Sequence, residues 1–264
     1  MAIIDVHTHA FTDALAPSAI PALEAQGGLH ARYDGTIRGL IAEMDCAGID
    51  VSIVQPVATK PSQVAPINDW IASVQSDRIV GFGAMHPNLE DPATEMARMR
   101  SMGIRGFKMH PEHQAFDPHD PHLSAIYAAA IEQGMIVFFH AGADVIHPTV
   151  HGTPESFAAV IDAWPALTVV LAHLGGYQQW RGVSEYIVGR DVWLDTAYTP
   201  RHLPDDELVA LVRAHGPDRV LFGTDGPWTD PAVEMEHIRG LDLSAGEIEG
   251  ILGANARRLL DAHA

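Results

Sequence analysis

The sequence predicts an α/β fold, a single (β/α)8 barrel, on three observations. Eight short apolar runs rich in β-branched residues recur along the 264 residues, and each is bounded by Gly, Pro or Asp. The segments between these runs carry apolar residues at helical spacing. Strands that are apolar throughout and alternate with helices indicate a parallel sheet covered on both faces. Eight such units in a chain of this length fit a closed barrel.

The predicted strands are spread over the whole chain. They are residues 2–7, 50–55, 79–85, 103–109, 135–140, 167–173, 192–196 and 219–224. An open, doubly wound sheet is the alternative, but a Gly-rich loop would be expected after its first strand, where this sequence has His-Thr-His. Because no linker, low-complexity tract or change of composition divides the chain, we expect one domain over residues 1–264.

Capping residues mark the predicted helices. In residues 36–48, apolar side chains share one face and Gly48 ends the segment. Four further helices are predicted to begin where Asp or Thr precedes Pro, at Asp91-Pro92, Asp120-Pro121, Thr153-Pro154 and Asp230-Pro231. Ser244 and Glu247 form a capping box that opens the last helix.

Charge and composition limit the partners of the chain. The net charge of −18 opposes binding to nucleic acid or to an anionic membrane. No apolar run approaches the ~18–20 residues of a membrane helix, and the single cysteine, Cys46, excludes an internal disulfide. The first strand begins where a secretory signal would have to lie. We therefore expect a cytoplasmic protein with a small-molecule substrate, either monomeric or a homodimer.

The first predicted strand ends in an alternating pair of histidines, within Asp5-Val-His-Thr-His9. Side chains of a strand alternate faces, so His7 and His9 should point the same way with Cα atoms roughly 7 Å apart. That separation lets two imidazoles bind one ion of zinc size. Asp5 has the same parity one pleat deeper, where a carboxylate can orient a metal ligand.

Other predicted strands also end in residues that bind metals or transfer protons. In a barrel, functional side chains come from the carboxyl ends of different strands. The set comprises His7 and His9 on strand one, Lys108 and His110 on strand four, His140 on strand five, His173 on strand six and Asp225 on strand eight. Such a set on five strands predicts a metal site. By contrast, five loop histidines are predicted to be solvated: His113, His119, His122, His147 and His151.

The ordered motifs resemble those of the amidohydrolase superfamily, in the amidohydrolase 2 branch that includes relatives of aminocarboxymuconate semialdehyde decarboxylase. The matching motifs are Asp5-Val-His-Thr-His9, Gly106-Phe-Lys-Met-His-Pro111, Phe139-His-Ala-Gly142, Ala172-His-Leu-Gly-Gly176, Phe222-Gly-Thr-Asp-Gly-Pro-Trp228 and, in the closing helix, Asn255-Ala-Arg-Arg-Leu-Leu260. They extend over essentially the whole chain. The branch contains hydrolases, lactonases and carboxy-lyases, so the resemblance leaves the substrate open.

The resemblance implies one divalent metal ion, commonly zinc. Its implied ligands are His7, His9, His140 and Asp225. It further implies that Asp225 acts as a base, and that His173 stays off the metal to act as an acid/base or to polarise the substrate. This division suits a catalytic zinc, which keeps one position open for water and lowers the pKa of that water to about 7.

Two residues of strand four have alternative roles. In other branches, a carboxylated lysine at the position of Lys108 bridges two metals, and His140 and His173 would then bind the second ion. In a mononuclear site, Lys108 would be catalytic or would bind a substrate carboxylate as an ammonium. His110 shares the parity of Lys108, and would either contact the substrate at the rim or make a structural hydrogen bond.

Loops after the strands supply candidates for substrate binding. Asp144 would steer a cationic or hydroxylated substrate, or would cap a turn. Tyr177, Arg181 and Trp228 are candidates for the mouth of the site, together with Trp180, Tyr198 and Arg201. Packing in the core is an equal alternative for each aromatic side chain.

Two activities fit such a site. The preferred interpretation is hydrolysis of an amide, lactone or ester bond of a small metabolite by a water that the metal activates, with Asp225 as base. The alternative is non-oxidative decarboxylation of a small acid, aromatic acids included, for which Lys60, Lys108, Arg181 and Arg201 are the candidate cations. Decarboxylases of the branch tend to be longer, so the compact chain favours hydrolysis. A non-catalytic metal protein would lack part of the ligand set, and a nuclease relative would have Glu in place of Lys108.

Overall fold

A computed structural model describes residues 2–264 of the chain. Its strands are β1 (Ile4–Thr8), β2 (Val51–Val54), β3 (Ile79–Gly81), β4 (Gly83–Ala84), β5 (Gly106–Met109), β6 (Ile136–Phe139), β7 (Thr168–Leu171), β8 (Trp193–Asp195) and β9 (Val220–Leu221). Every pair of neighbouring strands is parallel and follows chain order. Each strand lies within, or one residue beyond, a predicted run.

Strands β3 and β4 are two parts of one barrel strand, interrupted at Phe82. β3 pairs with β2 and β4 pairs with β5, while the Phe82 amide donates to the carbonyl of Val54 at 3.0 Å. The first and last strands also meet, because the Val6 amide donates to Phe222 O at 2.9 Å and the Asp225 amide donates to His7 O at 2.8 Å. The sheet is therefore a closed barrel of eight strands, and the predicted fold class is confirmed.

The helices cover the outside of the barrel. They are α1 (Ala16–Gly27), α2 (Ile37–Ala47), α3 (Val64–Val74), α4 (Pro92–Ser101), α5 (Pro111–Gln114), α6 (Ser124–Glu132), α7 (Pro154–Ala163), α8 (Trp180–Tyr186), α9 (Asp205–His215), α10 (Pro231–Gly240), α11 (Ala245–Glu249) and α12 (Asn255–Asp261). Asp91, Thr153 and Asp230 cap α4, α7 and α10 as predicted, and Asp120 caps the turn Pro121–Leu123 that leads directly into α6. In the part of the chain that the model covers, no helix has the length and apolar character to cross a membrane.

Apolar side chains form two layers. The larger layer lies between the strands and the helices. The smaller one fills the barrel interior with residues such as Ile53, Phe138 and Val170, and Leu259 and Leu260 of α12 pack against it. Since α12 follows a segment that touches Ala2, it closes the amino ends of the strands. The carboxyl ends are left open for a site.

A bulge in β1 turns His7 into the barrel. The pairing of β1 with β2 shifts register between Asp5 and Thr8. Val6 belongs to the interior apolar layer, and the His7 ring also contacts Phe138 of that layer, with ring centroids 5.3 Å apart. Two consecutive side chains therefore face the interior, which a regular strand does not allow.

Because of the bulge, Asp5 lies on the opposite side of the sheet from His7 and His9. Its carboxylate lines a small space shared with Leu40 and Met44 of α2, and it accepts hydrogen bonds from the amide and the hydroxyl of Thr224 at 3.0 and 2.6 Å. The predicted place of Asp5 behind the two histidines is therefore wrong, because the extra residue changes the parity. Asp5 instead fixes the backbone that leads into Asp225.

Candidate active site

The carboxyl ends of the strands open into a cavity of about 220 Å³. Eleven of the predicted site residues line it: His7, His9, Lys108, His110, His140, Asp144, His173, Tyr177, Tyr198, Asp225 and Trp228. Apolar side chains complete the wall, among them Phe11, Leu23, Val57 and Ile146. The position is that of active sites in barrel enzymes.

The predicted cations do not all reach this cavity. Arg181 is exposed on α8 and lies outside the lining, so its predicted contact with the substrate is wrong. Lys60 is exposed, and Arg201 Nε donates to the buried Glu234 at 2.8 Å. Of the predicted cations, Lys108 is therefore the one that lines the cavity, together with the predicted metal ligands.

His7, His9 and Asp225 bring one ligand atom each to a common point. Oδ1 of Asp225 lies 3.4 Å from Nε2 of His7 and 3.1 Å from Nε2 of His9. The three ligand atoms lie within 4.8 Å of one another. His9 and Asp225 remain partly accessible from the cavity, whereas His7 is buried.

Second partners orient both imidazoles through Nδ1. Nδ1 of His9 lies 2.7 Å from the carbonyl oxygen of Gln55, which can only accept. Nδ1 of His7 lies 2.8 Å from the carboxylate of Asp195. Both rings therefore carry their proton on Nδ1 and present the lone pair of Nε2 toward Asp225, as metal ligands do.

Asp195 and Gln55 were missed by the sequence analysis. Gln55 directly follows β2 and Asp195 ends β8. Asp195 is also the next-to-last residue of the predicted strand 192–196, so the rule that selected His140 and His173 would have selected it too. Its carboxylate is fully buried. Burial raises the pKa of Asp195 to about 6, an effect that nearby His173 and Lys108 reduce.

Asp225 is held in an uncommon conformation. Its φ is 66°, in the left-handed region that costs a non-glycine residue about 1–3 kcal/mol. Burial alone would raise the pKa of the Asp225 carboxyl, but the positive charge of His7 and His9 when these rings are protonated outweighs it and holds that pKa far below its usual value. The side chain is therefore a carboxylate at any pH where the protein would function, as a metal ligand requires.

His140 and His173 lie next to each other in the wall of the cavity. His140 Nε2 lies 3.0 Å from the carbonyl oxygen of Ala143, and His173 Nδ1 lies 2.8 Å from that of Ala197. Both of these nitrogens must donate, which leaves His140 Nδ1 and His173 Nε2 facing each other at 3.1 Å. If both rings were neutral, the lone pairs of these two nitrogens would face each other. A cation, either a proton or a metal ion, is therefore needed between them.

Lys108 lies beside the first histidine. Its Nζ is 3.2 Å from Nε2 of His7 and 4.7 Å from the centre of the Phe138 ring. Burial lowers the pKa of Lys108 to about 8, against the opposing influence of Asp195 and Asp225. The amine is therefore mostly protonated at neutral pH.

The donors present fit a divalent metal. Two neutral imidazole nitrogens and one carboxylate oxygen that converge on one point form a ligand set of the kind that zinc and related ions use, with positions left open. His140 lies in a neighbouring group with His110 and Asp144, so its assignment as the fourth ligand stays a prediction.

A family model described as amidohydrolase matches residues 4–262. The chain belongs to the amidohydrolase family. The resemblance identified from the motifs is thereby confirmed. No curated protein matches the sequence.

Solved structures share the fold of this amidohydrolase at low identity. An uncharacterized TIM-barrel protein of Bordetella bronchiseptica is 21% identical with a TM-score of 0.78, and the match covers 100% of this chain and 99% of that one. The 5-carboxyvanillate decarboxylase of Sphingomonas paucimobilis is 17% identical with a TM-score of 0.75, over 98% and 99% of the two chains. The enzyme of the same name from Novosphingobium aromaticivorans, in complex with manganese and 4-hydroxy-3-methoxy-5-nitrobenzoic acid, is 16% identical with a TM-score of 0.72, over 98% and 96%. The 2,6-dihydroxybenzoate decarboxylase of Rhizobium is 15% identical with a TM-score of 0.72, over 100% of both chains.

These matches correct the predicted reaction. Hydrolysis was preferred because decarboxylases of the branch were expected to be longer than this chain. The named decarboxylases nevertheless match this chain along 96–100% of their own chains, so its compactness is no argument against decarboxylation. The preference for hydrolysis is therefore wrong. The activities named for these neighbours agree with the alternative, which is decarboxylation.

Proposed function

We propose that this amidohydrolase is a metal-dependent decarboxylase of a small aromatic acid. The observation that carries the proposal is the place of Lys108. Its protonated amine lies beside the group of metal-ligand type, in a cavity whose other walls are largely apolar. An aromatic acid matches this cavity, because its carboxylate can pair with the ammonium and its ring can pack against the apolar wall.

Aromatic side chains extend the apolar wall toward the mouth. Tyr177 contacts Tyr198 with ring centroids 5.6 Å apart, and both line the cavity with Trp228. Flat rings that pack at such distances can hold an aromatic substrate by offset or edge-on contact. The natural decarboxylase neighbours act on benzoate derivatives, which agrees with such a wall.

The metal ion would be held by His7, His9 and Asp225, with His140 as the predicted fourth ligand. When bound, a divalent ion supplies positive charge that orients substrate oxygens and stabilises negative charge as it develops. Zinc is the predicted ion, and manganese is the ion in the Novosphingobium decarboxylase. We also propose a cytoplasmic location, since a single exposed thiol, Cys46, suits a reducing compartment.

His173 is the proposed proton donor. Decarboxylation breaks the bond between the ring carbon and the carboxylate, leaves the electron pair on the ring carbon, and releases CO2. One proton must then reach that carbon. Nε2 of His173, which lies 3.1 Å from Nδ1 of His140 on the cavity wall, is the atom that would carry the proton for this transfer.

Product analysis tests the proposal. The metal-loaded protein is incubated with 5-carboxyvanillate, 2,6-dihydroxybenzoate and other hydroxylated benzoates, and released CO2 and the aromatic product are measured. In D2O, the product should contain one deuterium at the carbon that carried the carboxylate. An absence of CO2 release across the panel, or a product that keeps its carboxylate and gains oxygen from water, would overturn the proposal.

A lysine pair provides the matched control. Lys108→Met removes the charge next to the substrate carboxylate and should lower kcat/KM by about 10- to 100-fold, the value of one hydrogen bond to a charged group. Lys60→Met removes an exposed lysine outside the cavity and should leave kcat/KM unchanged. Equal values for the two variants would remove Lys108 from the proposal.

A further inference from the structure

We propose that His113, Asp144 and His147 form a second divalent-cation site, of the zinc-binding type, at the mouth of the cavity. One ligand atom from each of the three lies within 4.8 Å of the others. All three are partly buried, whereas solvation was predicted for both histidines. The site is separate from the group around Asp225, and it does not depend on the reaction proposed above.

The carboxylate of Asp144 is fixed with one oxygen free. Its Oδ1 accepts hydrogen bonds from the amides of Ile146 and His147 at 2.9 and 2.7 Å. Oδ2 is left to face Nε2 of His113 at 3.9 Å. That distance is too long for a hydrogen bond. Oδ2 is therefore free to bind an ion together with one nitrogen of His113 and one of His147, since the three ligand atoms lie within 4.8 Å of one another.

The two histidines are already adjacent. His113 Nδ1 lies 3.2 Å from His147 Nε2, and the rings are nearly perpendicular with centroids 4.5 Å apart. Helix α5 carries His113, while the turn fixed by Asp144 carries His147.

His110 is excluded from this set by its own hydrogen bond. Its Nδ1 accepts from the amide of His113 at 3.4 Å, so the proton of the neutral ring is on Nε2. That protonated Nε2, which lies 3.9 Å from Asp144 Oδ2, cannot bind a metal. Two histidines and one carboxylate therefore remain, and one position of a tetrahedral ion stays open.

The open position would face the substrate cavity. His113 and Asp144 both line that cavity. An ion bound there would place positive charge at the mouth, on the same wall as His140, whose ring stacks on His110 with centroids 4.0 Å apart. An anionic or hydroxyl group at the far end of a substrate has the chemistry to reach it.

Zinc stoichiometry tests this site. The metal-free chain is titrated with Zn²⁺ in a calorimeter, and its zinc content is measured after dialysis. We expect two ions per chain in the wild-type protein and one in each of the variants His147→Ala and His9→Ala. The exposed pair His122 and Asp120 also has a 2.9 Å contact, so His122→Ala is the matched control and should keep both ions.

The His9→Ala variant isolates the proposed site from the primary one. In that background, adding His147→Ala should abolish the remaining zinc binding while circular dichroism shows an unchanged fold. One ion per chain in the wild-type protein, or equal zinc content with and without His147, would overturn the proposal. Neither result depends on CO2 release, so a failure of the proposed reaction would be recognised separately.

Discussion

Asp195 connects the two walls of the site through one buried carboxylate. Its Oδ2 accepts from Nδ1 of His7 at 2.8 Å, and its Oδ1 accepts from the amide of His173 at 2.7 Å and from that of Ala197 at 3.0 Å. The carboxylate therefore orients a predicted metal ligand on β1 and also fixes the backbone of the proposed proton donor after β7. Three donors and a buried position leave it a single orientation.

Asp195→Asn is expected to weaken metal binding by about 10- to 100-fold, the usual effect of removing the partner that orients a ligand histidine. An amide offers one oxygen instead of two, so it cannot accept from both His7 and His173. Competition with a chelating dye measures the affinity. The control is Asp191→Asn, whose carboxylate is exposed and pairs with Arg219. If Asp195→Asn binds the metal as tightly as the control does, the carboxylate does not act through His7.

The sequence predicted the strands and most of the cavity because both depend on local patterns. Apolar runs determine where strands lie, and a parallel barrel brings the ends of all strands to one face. That reasoning placed His7, Lys108 and Asp225 together without coordinates. Asp195 obeys the same rule and could have been found in the same way.

What the sequence did not predict depends on contacts between distant segments. The bulge in β1 puts Asp5 on the opposite side of the sheet from His7 and His9, and no residue pattern between Asp5 and Thr8 marks it. Likewise, His113 and His147 lie 34 positions apart, and only the packing of α5 against the loop after β6 brings their rings to 3.2 Å. The exposed position of Arg181 depends on where α8 begins.

His173→Asn should retain the metal of the primary site but lose turnover by about 10²–10⁴-fold, the usual contribution of a general acid/base. The asparagine cannot hold a transferable proton at the place of Nε2. Metal analysis and CO2 release on the same sample measure the two effects. Loss of metal together with activity would instead favour the binuclear alternative, in which His173 is a ligand and Lys108 a carboxylated bridge.

Removal of the metal should abolish activity and leave the barrel folded. The interior layer around Phe138 and Val170 is apolar and is closed by α12, so its stability does not require an ion. Far-ultraviolet circular dichroism before and after treatment with a chelator at pH 7 measures this, and restoring the metal should restore activity. Unfolding of the metal-free protein at room temperature would mean that the ion is structural.

The last prediction concerns stability in mild acid and a histidine far from the site. His215, at the end of α9, is buried, and its Nε2 donates to the carbonyl of Val192 at 2.9 Å. Its buried Nδ1 has no hydrogen-bond partner among the residues that the model describes, so protonation would bury an unpaired charge. Burial accordingly lowers the pKa of His215 below its ordinary value of 6.5.

Because the folded state resists protonation of His215, stability should fall as pH drops through the unfolded-state pKa of 6.5. Above that pH both states are neutral and the group contributes nothing to the pH dependence. Below it the unfolded chain binds the proton first, which lowers the free energy of unfolding by at most about 1.4 kcal/mol by pH 5.5.

His215→Gln keeps a donor for the carbonyl of Val192 and removes the titration. In urea denaturation, wild type should therefore lose more stability between pH 7.5 and pH 5.5 than this variant, by up to that amount. His119→Gln, at an exposed position, should behave as wild type does. Equal losses in wild type and His215→Gln would show that His215 is protonated in the folded protein as readily as in the unfolded chain.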